Sequence, residues 1–150
     1  MPEKPVDIPL GLFTKPPLKP LDKPITPPKT YHPIQIKPGV VFKVINPEIW
    51  SIFPIISEVF ASFGKEAVIT SANDGKHKGW ELVQAGTFVS GQVSKHYFNL
   101  ALDLRTKHLL DMHQKEFVIR DLKDKLGPDY LVLLESPGTD NEHAHIGFKG

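Results

Sequence analysis

Two stretches of this chain bring together side chains that bind metal ions and move protons. His96 and Asp103 stand seven residues apart, and Glu142-His143-Ala144-His145 lies near the C-terminal end. The sequence has seven histidines and no cysteine, so any metal must be held by His, Asp or Glu. Two imidazoles and one carboxylate suit zinc, and three protein ligands leave a fourth position for water. Such an open site is catalytic in type, because bound zinc brings the pKa of its water toward ~7. That water needs a proton acceptor. Glu142 is the first candidate, Glu135 is its rival, and Asp140 is a third.

The elements around these residues must aim them. Residues 100–105 read as a strand, whose alternation turns Leu100, Leu102 and Leu104 toward the core and Ala101, Asp103 and Arg105 the other way. A carboxylate in so apolar a strand is costly to bury unless it is paired or bound to a cation. Ala101 leaves room beside it, and a bend near Asn99 would carry His96 to the same face. In a final strand over 143–148, His143, His145 and Gly147 share one face while Ala144, Ile146 and Phe148 face the core. One cleft thus collects His96, Asp103 and at least one of His143 and His145. A lone strand histidine or aspartate is more often surface or core; the conjunction carries the metal reading.

Farther out, Asn46 and Pro47 open a helix in which Ile49, Ile52, Phe53, Ile56, Val59, Phe60 and Phe63 keep helical spacing up to Gly64. Pro54 lies off that stripe and predicts a kink. A buried strand over 67–71 ends at the Asn73-Asp74-Gly75 turn signal, and a loop or hairpin is expected around 80–88. A second helix over 109–126 is expected to bury Leu110, Phe117, Val118, Leu122 and Leu126 before Gly127-Pro128 stops it, and 130–134 reads as a strand. This order predicts an α+β domain over 39–150, with helices on one face of a small antiparallel sheet.

Eleven of the fifteen prolines fall within residues 1–38. They fix φ and remove backbone donors, so this segment reads as an extended, polyproline-like arm. It is either a stiff linker or an arm laid on another subunit, with Leu10, Leu12, Phe13, Leu18 and Ile25 as anchors. The formal net charge of +1, with charges scattered, argues against a nucleic-acid partner. Neither an export signal nor a membrane span is visible.

The stretch Ser94-Lys95-His96-Tyr97-Phe98-Asn99-Leu100-Ala101-Leu102-Asp103 resembles the SxHxxGxAxD motif of the M15 (LAS-type) zinc peptidases. That family includes D-Ala-D-Ala carboxypeptidases and phage L-alanyl-D-glutamate peptidases. Ser94, His96, Ala101 and Asp103 fall on the fixed positions, while Asn99 replaces the glycine. Glu142-His143-Ala144-His145 resembles the second family motif, and the wording from Leu134 to His145 is most similar to M15-like proteins of tailed phages. Val68-Ile69-Thr70-Ser71 is similar to the strand before the family's substrate-binding turn, and the likeness covers residues 47–149.

The resemblance implies a hedgehog/DD-peptidase-like fold, Zn2+ on His96, Asp103 and His145, Glu142 as the base, and His143 beside the reacting centre. Ser94, Lys76 and His77 are then expected on the substrate side, with Lys76 standing in for an arginine the family often carries after the Thr-Ser turn. The implied activity is hydrolysis of peptidoglycan stem peptides by a phage-encoded enzyme, found on the virion or in the lysed host cell. Residues 1–38 would bind subunits of the particle. The alternative is a structural virion protein that reuses the fold with an inactive site. A cytosolic D-Ala-D-Ala dipeptidase is the third reading.

Overall fold

Asn46 caps the first helix as its position predicts, accepting the Glu48 N–H at 3.3 Å. Two helices, α1 (Pro47–Trp50) and α2 (Phe53–Ser62), occupy the stretch where the sequence suggested one kinked helix. Pro54 sits in the first turn of α2, where its missing N–H has no intrahelical partner to lose, so the proline starts a helix instead of bending one. The remaining α-helices among the described residues are α3 (Trp80–Gln84) and α4 (Met112–Leu126). The first falls where a loop or hairpin was expected. Asp111 caps α4, accepting the Gln114 N–H at 2.8 Å. This computed structural model describes residues 33–150 other than 45, 90 and 110, so Leu110 and the expected arm anchors lie outside the described residues. The chain divides between Tyr31 and His32.

Five strands form one sheet: β1 (Gln35–Ile36), β2 (Val68–Ser71), β3 (Ala101–Arg105), β4 (Tyr130–Glu135) and β5 (His143–Phe148), in the order β1-β2-β3-β5-β4. The sheet is mixed, which corrects the antiparallel expectation: β1 runs parallel to β2, and the other pairs are antiparallel. β1 also lies in the segment read as arm. Its pairing survives the prolines because the donors it uses belong to Gln35 and Lys37, which bond to the Ala67 and Ile69 carbonyls at 2.9 Å each. Pro33 and Pro38 flank those positions on an edge strand, where proline is tolerated.

Helices cover one face of the sheet. Ile56, Val59 and Phe60 of α2 and Val118 and Leu122 of α4 join Leu102, Leu104, Val132, Ala144 and Ile146 in one core. Phe117 is half exposed at 50%, against expectation, and lies under the Arg120 guanidinium. The adjacent Val118, at 0% exposure, takes the core position. This core fixes which way β3 faces. A one-residue slip would turn Asp103 into the apolar core and Leu102 and Leu104 out of it, forfeiting about 3–6 kcal/mol for the two leucines alone. No helix among the described residues is long and apolar enough to cross a membrane.

Candidate metal centre

Strand register assembles the opposite face. β5 sets His145 against Asp103 and His143 against Arg105, while β4 sets Glu135 against His143 and Leu133 against His145. His96 arrives from a 3-10 turn, Lys95–Phe98, that precedes β3. The Ser94 hydroxyl oxygen accepts the His96 N–H at 3.2 Å and starts that turn. Asn99 ends it with φ of 58°, a left-handed conformation that asparagine tolerates better than most residues. The predicted bend is therefore present, and His96 is buried over β3 at 1% exposure.

Three imidazoles converge on one oxygen. His145 Nδ1 lies 3.0 Å, His96 Nε2 3.1 Å and His143 Nε2 3.6 Å from Asp103 Oδ1. On its other side His96 Nδ1 is 2.5 Å from the Ala72 carbonyl, which can only accept, so Nδ1 carries a proton. In the neutral ring Nε2 is then a bare lone pair aimed at a carboxylate oxygen. That arrangement is repulsive unless a proton or a metal cation lies between them. A carbonyl fixing the tautomer from behind is the usual support of a metal-binding histidine.

Proximity alone groups His77, His96 and Asp103: one ligand atom of each lies within 4.8 Å of the others, so this group could hold a metal ion. Direction separates its members. The His77 and His96 rings are stacked, 3.9 Å apart and 8° from parallel. Lone pairs lie in the ring planes, so two parallel stacked rings cannot both point at one ion about 2 Å away. The His145 ring is tilted by 59° to His96 and turns Nδ1 to Asp103 Oδ1, though His145 is not in the group whose ligand atoms all lie within 4.8 Å of one another. His77 Nε2 is also engaged, at 2.8 Å from the Asp74 carbonyl and 3.2 Å from the Ser71 hydroxyl. Gly147 leaves the space that the His145 ring uses, since a Cβ there would stand 3.3 Å from His145 Nε2.

The electrostatics agree with a cation-seeking cluster. Burial alone would raise the Asp103 carboxyl, but hydrogen bonds from His145 and His96 outweigh it and hold the group well below the usual carboxylate range. Burial likewise works against a charged His145, yet the Asp103 carboxylate prevails and raises that ring above an ordinary histidine. His77 moves down, through burial first and the neighbouring His96 second.

The other expected site residues have different placements. Glu142 is buried, and its carboxylate is fully engaged: Oε1 meets Lys115 Nζ at 2.7 Å and the Thr106 hydroxyl at 2.7 Å, while Oε2 accepts the Gly138 N–H at 2.8 Å. Those donors overcome burial and hold Glu142 down to about 2. Lys115 belongs to α4, so Glu142 ties the sheet to the helix layer even though it borders the cleft. Glu135 reaches His143 Nε2 at 2.9 Å, and His143 Nδ1 lies 2.7 Å from the Asn141 carbonyl. Lys76 and His77 line the same cleft of about 680 Å³ as Asp103 and His143, and the Lys76 ammonium lies 5.8 Å from the centre of the Trp80 ring. Ser94 serves the turn beneath His96. Sequence reasoning missed Ala72 and Asn73, whose side-chain amide holds the His96 carbonyl at 2.7 Å. Only the Asn-Asp-Gly turn signal marks that spot, and a backbone carbonyl leaves no signature of its own.

No family model, curated protein or solved structure matches this chain. Its class rests on fold and site: an α+β protein with a mixed five-stranded sheet and a His and Asp cluster able to hold a metal ion.

Proposed function

We propose that this chain is a zinc-dependent peptidase acting on peptidoglycan stem peptides, with His96, Asp103 and His145 as the metal ligands. The observation that carries this reading is the approach of His96 Nε2 and His145 Nδ1 to Asp103 Oδ1 at 3.1 and 3.0 Å. These separations are close to the edge of about 3.3 Å in a tetrahedron built on zinc bonds of ~2.0–2.1 Å. The bound ion would polarise the scissile carbonyl and make water a nucleophile near neutral pH. The substrate class rests on the resemblance of the Ser94–Asp103 and Glu142–His145 motifs to the M15 peptidases.

The chain's own groups supply the proton handling. We assign Glu135 as the acceptor, because its carboxylate is partly exposed at 43% and, among the described residues, is shared only with His143. Glu142 is already saturated by three donors. His143, between Glu135 and Asp103, holds a proton on Nδ1 against the Asn141 carbonyl and turns Nε2 to Glu135, so that a proton taken up by Glu135 is shared with that nitrogen. His77 and Ser94 then act by holding His96, not by touching substrate. The virion setting and the binding of particle subunits through residues 1–38 belong to the same proposal. The saturation of Glu142 is the one feature favouring the alternative, a structural virion protein with an inactive site.

The test is release of new amino termini from purified peptidoglycan by the zinc-loaded protein and by Glu135→Gln and Glu142→Gln variants. Loss of release in Glu135→Gln with zinc retained supports the assignment. Zinc bound without release by the wild type would move the reading to the structural alternative.

A further inference from the structure

The cleft over the metal cluster is lined by Lys37, Lys76, Arg105 and Lys107 as well as by Asp103 and Asp140. Most of these charges are spoken for. Lys107 faces Asp140 at 3.8 Å, Lys76 lies over Trp80, and Asp103 meets the imidazoles. Arg105 and Lys37 are not: among the described residues no acidic side chain or hydrogen-bond acceptor pairs with either head group, and of the two only the Arg105 guanidinium lies on the strand that carries Asp103. It lies two residues beyond Asp103 on β3, so strand alternation turns it to the same face, with His143 as its register partner.

Resting on the metal-site reading above, we infer that Arg105 is a specificity-determining residue that holds an acidic group of the ligand, a carboxylate, beyond the metal cluster. The planar guanidinium presents a fork of N–H donors that matches the two oxygens of a carboxylate, which an ammonium does not. Asp103 and Arg105 are about 7 Å apart along the strand, and an extended peptide rises about 3.3 Å per residue. The acidic group thus falls about two residues from the bond presented at Asp103. Lys37 and Lys107 border the same cleft and add attraction for an anion without fixing its orientation. This assignment differs from the sequence expectation, in which Lys76 takes the place of an arginine on the substrate side. The cation over the Trp80 ring is already partly committed there.

The experiment uses the full chain loaded with zinc. Binding is followed by calorimetry or by amide chemical shifts. Three probes are compared: an N-acetylated tripeptide with a free C-terminal carboxylate, the same tripeptide as its C-terminal amide, and inorganic phosphate. The wild type is expected to prefer the acid over the amide by about tenfold, as a charge-assisted hydrogen bond gives. Arg105→Ala levels the two while zinc content and circular dichroism stay unchanged, and Arg105→Lys keeps only part of the preference. Three results overturn the inference: an acid preference that survives Arg105→Ala, no measurable binding of either peptide, or phosphate that competes in an Arg105-dependent way while acid and amide bind alike. Failure of the metal reading is seen separately, as absence of zinc in the wild type. The acid-to-amide ratio of the metal-free chain then still reports on Arg105.

Discussion

Replacing Glu142 by Gln separates an anchoring carboxylate from a catalytic one. The folded-state pKa of about 2 lies below the ordinary 4.5, so the ionised form is the one that folding stabilises. This contribution is therefore fully present above about pH 4.5 and is lost as pH falls toward about 2. At about 1.4 kcal/mol per pKa unit the contribution is on the order of 3 kcal/mol. The residue is only 5% exposed, but it borders the open cleft, so solvent screening lowers this figure. Gln has one acceptor oxygen, so it can accept from the Thr106 hydroxyl or from the Gly138 N–H but not from both, and it leaves Lys115, 16% exposed, without its counter-charge. We therefore expect Glu142→Gln to cost about 2–3 kcal/mol at pH 7, roughly 10 °C in Tm for a unit of this size. Differential scanning calorimetry from pH 7 to pH 2.5 checks this, with the difference from wild type shrinking steadily below pH 4.5. Equal Tm values at pH 7, combined with loss of peptide hydrolysis, would refute the reasoning and return Glu142 to the role of base.

The same geometry sets other expected outcomes. Gly147→Ala places a Cβ 3.3 Å from His145 Nε2 and is expected to weaken zinc binding by about tenfold with the fold intact, read by competition with a chelating dye. Asn99→Ala puts a residue poorly suited to φ of 58° at the end of the His96 turn; it should lower stability by about 1–2 kcal/mol in thermal unfolding, while Asn99→Gly should not. Removing zinc from the wild type should lower Tm, because an ion that binds only the folded cluster stabilises it by mass action.

Where sequence periodicity was strong, it located the elements. Alternation placed Leu102 and Leu104 in the core and Asp103 and His145 on the opposite face, because one sheet face is covered by helices and the other carries the His96 turn and the cleft. The bend at Asn99 was legible because few residues other than glycine accept its conformation. Phe117 was not. An apolar residue at the border of a helical stripe is resolved only by what packs beside it, and Val118 took the core position. The parallel pairing of β1 was hidden because two residues between prolines show no period. Within the site, ligand types and spacing were readable, whereas the occupation of Glu142 was not. That depends on Lys115 and Thr106, which are distant in the chain and brought together by the packing of α4 on the sheet.

The proposed ion is held by His96, Asp103 and His145, with His77 stacked outside the coordination. The most direct measurement is zinc stoichiometry by mass spectrometry on purified wild type, His145→Ala and His77→Ala chains. About one zinc per chain is expected in the wild type and in His77→Ala, and none in His145→Ala. Zinc retained by His145→Ala but lost from His77→Ala would contradict this coordination.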